Sequence, residues 1–349
     1  MPPKVYHHNQ PFELESGTIL PGLEIAFHTY GRLNREADNV IWVCHALTAN
    51  SDVFEWWPGL FGPDELFNPD EYFIICANNL GSCYGTNGPL SVNPVTEQPW
   101  YDEFPAITIR DMARVLQLLK EHLGIGRFHT LIGGSQGGQI AQEWSIQHPG
   151  LTEHLILLAT NAVHSSWGIA FNESQRLAIR ADRTYGQPSA DAGAAGLKAA
   201  RSIALLSYRS YHTYNITQQQ HRKSIGYKAA ASYQQYQGQK LVSRFNAYSY
   251  VRLSEAMDSH DICRGRCSDI VEVLYPVRAQ VLVIGVGSDI LFPVNEQKQI
   301  AAALPNATFV EIESDFGHDG FLIETQQISG IVRDFLSRTS VKKYHNVLT

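Results

Sequence analysis

Short uninterrupted apolar runs alternate along this chain with stretches whose apolar residues recur every three or four positions. VIWVCHA (40–46), YFIICAN (72–78), FHTLIGG (128–134) and LTEHLILLATN (151–161) have strand length and read as buried strands. TIRDMARVLQLLKEHLG (108–124) carries helical spacing. This alternation through residues 15–160 predicts a mainly parallel central sheet with helices on both faces. From about residue 163 to 275 the pattern changes. Ala, Gln, Tyr and Ser become frequent, strand runs vanish, and GLKAARSIALLSYRSY (196–211) and QKLVSRFNAYSYVRLSEAM (239–257) read as helical. The strand signal returns in AQVLVIGVG (279–287) and ATFVEIES (307–314), and GFLIETQQISGIVRDFLSR (320–338) reads as the last helix. The expected organisation is one α/β core, residues 1–162 and 276–340, interrupted by a helical insert over 163–275. A polar tail, 341–349, is expected to be loosely ordered.

Composition narrows the function classes. The 349 residues are 44% apolar and 17% charged, enough for a sizeable core. The net charge of −7 comes with no Lys/Arg cluster, so a nucleic-acid partner is not expected. No apolar run reaches the length of a membrane span, and the opening segment MPPKVYHHNQPFELESG lacks the apolar stretch of a signal peptide. Five cysteines, an odd and low number, fit a reducing cytoplasm better than a disulfide framework. The pair Cys263 and Cys267 in CRGRC has no matching second pair, so no metal is expected.

The chemistry concentrates around Gly133-Gly134-Ser135-Gln136-Gly137, which fits G-x-S-x-G between a strand and a helix. A serine there is either the cap of the following helix or a nucleophile held on a sharp elbow. A nucleophilic serine needs a base, and the base an orienting acid, in the chain order Ser, Asp or Glu, His. Asp289 ends the strand VLVIGVGSD, and His318 follows the next strand in DFGHDG. His122, His129 and His148 lie in elements flanking the elbow, and His212, His221 and His260 in the insert, so all six suit the role less well. An oxyanion hole needs two backbone N–H donors. Gln136 follows the serine, and Leu47 lies in the loop HALTAN after VIWVC. His45 in that loop reads either as a second base or, more simply, as a structural histidine.

Beyond the elbow, a set of longer motifs carries a resemblance. They are HTYGRLN (28–34), CHALTANSDV (44–53), NNLGSCYGTNGPLSVNP (78–94), FPAITIRDM (104–112), GGSQGGQ (133–139), FNESQRLAI (171–179), LLSYRS (205–210), GSDILFP (287–293) and GHDGFL (317–322). In these the chain resembles the homoserine O-acetyltransferases of the α/β-hydrolase fold, from about residue 12 to 338. The resemblance implies an α/β-hydrolase core with an α-helical lid and a Ser135–Asp289–His318 triad. It implies ping-pong transfer of acetyl from acetyl-CoA, a co-substrate with no permanently bound cofactor, to L-homoserine on the way to methionine. It assigns the acceptor carboxylate to Arg201 with Tyr208 beside it, and the acceptor ammonium to Asp319. It also suggests a cytoplasmic homodimer formed through the insert, whose tyrosines could instead line the lid.

Two positions depart from the family pattern. Many relatives carry methionine where this chain has Gln136, and often also at Gln139, which leaves acetyl against succinyl preference open. The nearer alternatives are a homoserine O-succinyltransferase or a serine acyltransferase of the same family. A carboxylesterase would keep the triad without needing Arg201 and Asp319. A catalytically silent binding protein would usually lose a triad member, and an acyltransferase for another small alcohol would want an apolar lid pocket. Taken alone, Arg201 would read as a solvated helix residue, and Asp319 as a favourable charge at a helix start.

Overall fold

A computed structural model describes residues 1–219 and 228–347, with side chains to residue 339. Its centre is an eight-stranded sheet. In chain order the strands are β1 (Lys4–His8), β2 (Leu23–Tyr30), β3 (Val40–Cys44), β4 (Phe73–Ala77), β5 (Phe128–Gly134), β6 (Thr152–Leu158), β7 (Gln280–Val286) and β8 (Ala307–Ile312). Across the sheet they lie β1-β2-β4-β3-β5-β6-β7-β8. β1 and β2 pair antiparallel, as do β2 and β4, and every other pairing is parallel.

The helices follow the same chain order. They are α1 (Ile109–His122), α2 (Gln136–Gln147), α3 (Ser166–Arg180), α4 (Ala194–Tyr208), α5 (Tyr211–Thr217), α6 (Ala229–Val242), α7 (Ala247–Asp258), α8 (Val294–Ala303) and α9 (Thr325–Val347), besides short helical turns. α1 begins at a reciprocal cap: Thr108 Oγ1 accepts from the Asp111 N–H, and the Asp111 carboxylate accepts from the Thr108 N–H.

Continuous apolar runs make sense because the sheet is buried on both sides. In β3, Val40, Trp42 and Cys44 join a cluster with Leu116 and Leu119 of α1, Ile140 and Trp144 of α2, and Ile300 of α8. The alternate residues, Ile41 and Val43, join a second cluster with Ile328, Val332 and Phe335 of α9. Successive side chains of a strand point to opposite faces, so one strand feeds both layers.

Three sequence expectations change. The stretch 239–257 is two helices, α6 and α7, separated at Ser243–Asn246, where the Asn246 side chain accepts from the Ser249 N–H and caps α7. The last helical stretch breaks at Glu324, leaving a turn over Gly320–Ile323 before α9. Where a loose tail was expected from 341, the backbone of α9 continues to Val347.

α3 to α7 form the helical roof. The chain enters it at Val163 and leaves at Asp261, and these two residues form an antiparallel bridge. Residues beyond 261 are tied to the core helices, Arg266 to Glu143 of α2 and Arg110 of α1 to the carbonyls of Asp261 and Arg264. We propose that the inserted unit closes at Asp261, not at 275. Its Leu197, Ala200 and Tyr250 pack into the same apolar cluster as the core, so the roof is part of the folded body.

Candidate active site

Ser135 occupies the N-cap position of α2, yet its side chain makes no capping bond. Its backbone sits at φ 56°, ψ −127°, a conformation costly for any residue with a Cβ. The turn is tight enough to exclude neighbouring side chains. A Cβ on Gly133 would lie 2.2 Å from the Gly137 carbonyl oxygen, and one on Gly137 would lie 2.0 Å from that of Cys44. Two glycines therefore let strand, helix and β3 approach where the serine is presented.

The hydroxyl is paired as a nucleophile's would be. His318 Nε2 lies 3.0 Å from Ser135 Oγ, and His318 Nδ1 lies 2.6 Å from Asp289 Oδ2. Asp289 Oδ1 accepts the N–H groups of Leu291 and Phe292 at 2.8 and 2.9 Å, which fixes the carboxylate. All three side chains are buried. Phe292 stacks on the imidazole at 5.0 Å and Phe321 meets it edge-on at 5.2 Å, so the ring has little room to turn.

The loop that carries His318 is bound to the roof. The Ser210 and Thr213 hydroxyls both donate to the Asp315 carbonyl, and the Gly317 N–H donates to Ser288 Oγ. The backbone of Tyr208 to Ser210 passes so close to Gly317 that a Cβ there would approach it to 3.0 Å.

A cavity of about 420 Å³ opens onto Ser135 and His318. Leu47, Arg201, Tyr208 and Asp319 line it, so the structure brings the expected acceptor residues to the serine. The Arg201 guanidinium lies over the Tyr208 ring at 5.4 Å, as their seven-residue spacing on α4 requires. Burial pushes the Tyr208 hydroxyl up, so it stays protonated and can donate.

Arg209 is a residue the sequence reading did not single out. Its Nε lies 2.6 Å from Asp319 Oδ2, so the aspartate has an ion-pair partner. The signal was within reach, because Arg209 lies inside the LLSYRS motif. Lys240 and Arg244 also line the cavity. Arg244 holds the Thr48 carbonyl and the Tyr84 hydroxyl. Nothing local in the sequence marked these two cations.

The remaining candidates fall away from the cavity. His45 is fully buried, accepts the Asn79 N–H at Nε2, and faces the Ala46 carbonyl through Nδ1. Burial lowers its pKa to about 4, which keeps it neutral and suits the structural role. His260 contacts the Asn161 carbonyl, His212 an exposed aspartate, and His148 lines a groove elsewhere. His221 lies outside the described residues. Cys263 and Cys267 are free thiols, and among the described residues no group of three or more His, Cys, Asp or Glu side chains gathers as a metal site. No described helix is long and apolar enough to cross a membrane.

Comparison with known proteins places the fold and the family. Residues 39–325 match the model of the alpha/beta hydrolase fold. A homoserine O-acetyltransferase of Cyclobacterium marinum is 46% identical over 335 residues, covering 96% of this chain and 95% of the relative. The crystal structure of homoserine O-acetyltransferase from Bacillus anthracis superposes with a TM-score of 0.87 at 28% identity, covering 96% of this chain and 97% of that one. Esterase E22 superposes equally well, also at 0.87, but at 21% identity, covering 96% of this chain and 99% of that one. That likeness speaks for the fold alone, so shape does not separate transfer from hydrolysis. Near-full-length identity does: the chain belongs to the α/β-hydrolase-fold family and, within it, to the homoserine O-acetyltransferases.

Proposed function

We propose that the Ser135 cavity moves an acetyl group from acetyl-CoA to the hydroxyl of L-homoserine. Ser135 Oγ attacks the thioester carbonyl while His318 Nε2 takes its proton. The N–H groups of Leu47 and Gln136 receive the oxyanion; the first N–H groups of a helix have no partner within it. Collapse expels CoA thiolate, which takes the proton from His318. The homoserine hydroxyl then gives its proton to His318 and attacks the acetyl-serine. Collapse returns Ser135, reprotonated by His318, and releases O-acetyl-L-homoserine.

One observation carries the acceptor assignment: Arg201 and Asp319 share a cavity with the serine. A zwitterionic amino acid needs one cation and one anion, and Arg201 can grip its carboxylate. Asp319 has one oxygen against Arg209, leaving Oδ1 for the ammonium. Lys240 and Arg244 suit the phosphates of the CoA donor. Acetyl is favoured over succinyl by the acetyltransferase relatives, and neither departure from the family pattern reaches the cavity. The Gln136 amide donates to the Leu253 carbonyl and that of Gln139 to Asn161 Oδ1. A succinyl carboxylate would find no partner in either.

The decisive assay offers acetyl-CoA or succinyl-CoA with L-homoserine, L-serine or water, following thiol release with mass confirmation of products. Fast release with acetyl-CoA and homoserine alone is expected. Arg201→Ala should then raise the homoserine KM by about 10²-fold, leaving the acetyl-CoA KM little changed. Equal release with water alone would mean a hydrolase and remove the roles of Arg201 and Asp319.

A homodimer formed through the roof fits the apolar residues exposed there, among them Trp167, Leu177, Leu206, Tyr211 and Ile216. Sedimentation should read twice the 39.0 kDa chain mass; a single 39.0 kDa species at micromolar concentration rejects it. Five free thiols suit a reducing cytoplasm.

A further inference from the structure

Gln136 stands one residue after the nucleophile, where only its backbone N–H is needed for chemistry. Its side chain is nevertheless fully buried and bonded at both its nitrogen and its oxygen. Nε2 donates to the Leu253 carbonyl of α7 at 2.9 Å, and Oε1 faces the Asn79 amide at 3.4 Å. The Leu253 carbonyl can only accept, so the amide orientation follows from chemistry. Asn79 continues the chain of contacts. Its backbone N–H donates to His45 Nε2 at 3.0 Å, and its side-chain amide also reaches the His45 carbonyl at 3.3 Å. Because His45 Nε2 accepts there, Nδ1 carries the proton and donates to the Ala46 carbonyl at 2.8 Å. Ala46 immediately precedes Leu47.

One buried relay therefore runs from a roof helix, through the residue after the nucleophile, to the loop that supplies the other N–H. We infer that Gln136 is a positioning residue: through Leu253 on one side and Asn79–His45 on the other, its side chain holds both oxyanion donors at a spacing set by the roof. This rests on the reading of Leu47 and Gln136 as those donors. Methionine, which many relatives carry here, could fill the same space but could neither donate to Leu253 nor accept from Asn79 as an amide does.

The test uses the intact enzyme and Gln136→Met. Acylation is read from the burst of 4-nitrophenol with 4-nitrophenyl acetate, which needs neither CoA nor homoserine. Ser135 Oγ forms the new ester bond as the bond to 4-nitrophenolate breaks, and the serine proton passes to His318. A second readout is a trifluoromethyl ketone adduct of Ser135. Its hemiketal hydroxyl, followed by carbon NMR, ionises more readily when N–H donors face it. The variant is expected to slow the burst about tenfold, with the ester KM within twofold, and to raise the hemiketal titration by about one pH unit. A hemiketal that ionises normally in the parent would reject the oxyanion reading itself. A lowered titration in the parent that the variant leaves unmoved, with an unchanged burst, would overturn the role of Gln136. So would a loss of activity that only follows a fall in folded protein, with the parent burst rate per titrated site.

Discussion

Ser135→Ala should reduce acetyl transfer by about 10⁶-fold, the scale seen when the nucleophile of a triad hydrolase is removed. The size follows from the serine's isolation in the site. Its Oγ is the atom His318 Nε2 contacts, and its side chain caps nothing. Without it no acetyl-enzyme forms on the proposed ping-pong course. Stability should change little, because alanine inherits the same φ of 56° and the same cost. CoA should still bind, as calorimetry would read. Residual transferase above one part in a hundred, from homogeneous protein, would remove Ser135 from the mechanism.

Asp289→Asn is the second large effect, about 10⁴-fold in kcat, the loss measured for that change in a serine protease triad. The cause here is hydrogen-bond accounting. Asp289 accepts three N–H groups: Leu291 and Phe292 at one oxygen and His318 Nδ1 at the other. The two backbone donors would draw the asparagine oxygen, turning its NH₂ toward Nδ1. The imidazole would then have to accept at Nδ1 and carry its proton on Nε2, facing a hydroxyl from which it should take one. Binding groups are untouched, so both KM values should hold. Steady-state thiol release and the rate of phosphonate labelling at Ser135 should fall together; a drop of less than tenfold would mean that Asp289 does not set the tautomer.

What could be read in the chain before folding was what repeats locally. β3 to β7 announce themselves because their stretches buried on both faces form apolar runs, and the elbow because its glycines are packed into five residues. β1 and β2 gave no such signal. KVYHH is an edge strand with no fully buried residue, so apolar pattern has nothing to select. The break between α6 and α7 is marked only by Asn246, one cap inside a stretch whose periodicity does not pause. Distance hid the rest. The Arg209–Asp319 pair joins residues 110 positions apart, and the Gln136 amide finds a backbone carbonyl 117 positions away. Backbone acceptors carry no residue signature at all, which is why Gln136 read as a change to the acyl pocket rather than a tie to the roof.

The hydroxyls of Ser210 and Thr213 reach down from the roof to the loop bearing His318, and this has a consequence for traffic. A roof free to swing would admit substrates by rising and trap them by falling. Lifting α5 with these two bonds intact would carry the loop of His318 away from Ser135, so opening by that route would part the base from the nucleophile. A roof tied in this way favours exchange of donor and acceptor through the opening of the Ser135 cavity over exchange by lifting. On the proposed ping-pong course CoA leaves before homoserine reacts, so alternation of substrates becomes a matter of queueing at one cavity rather than of lid motion.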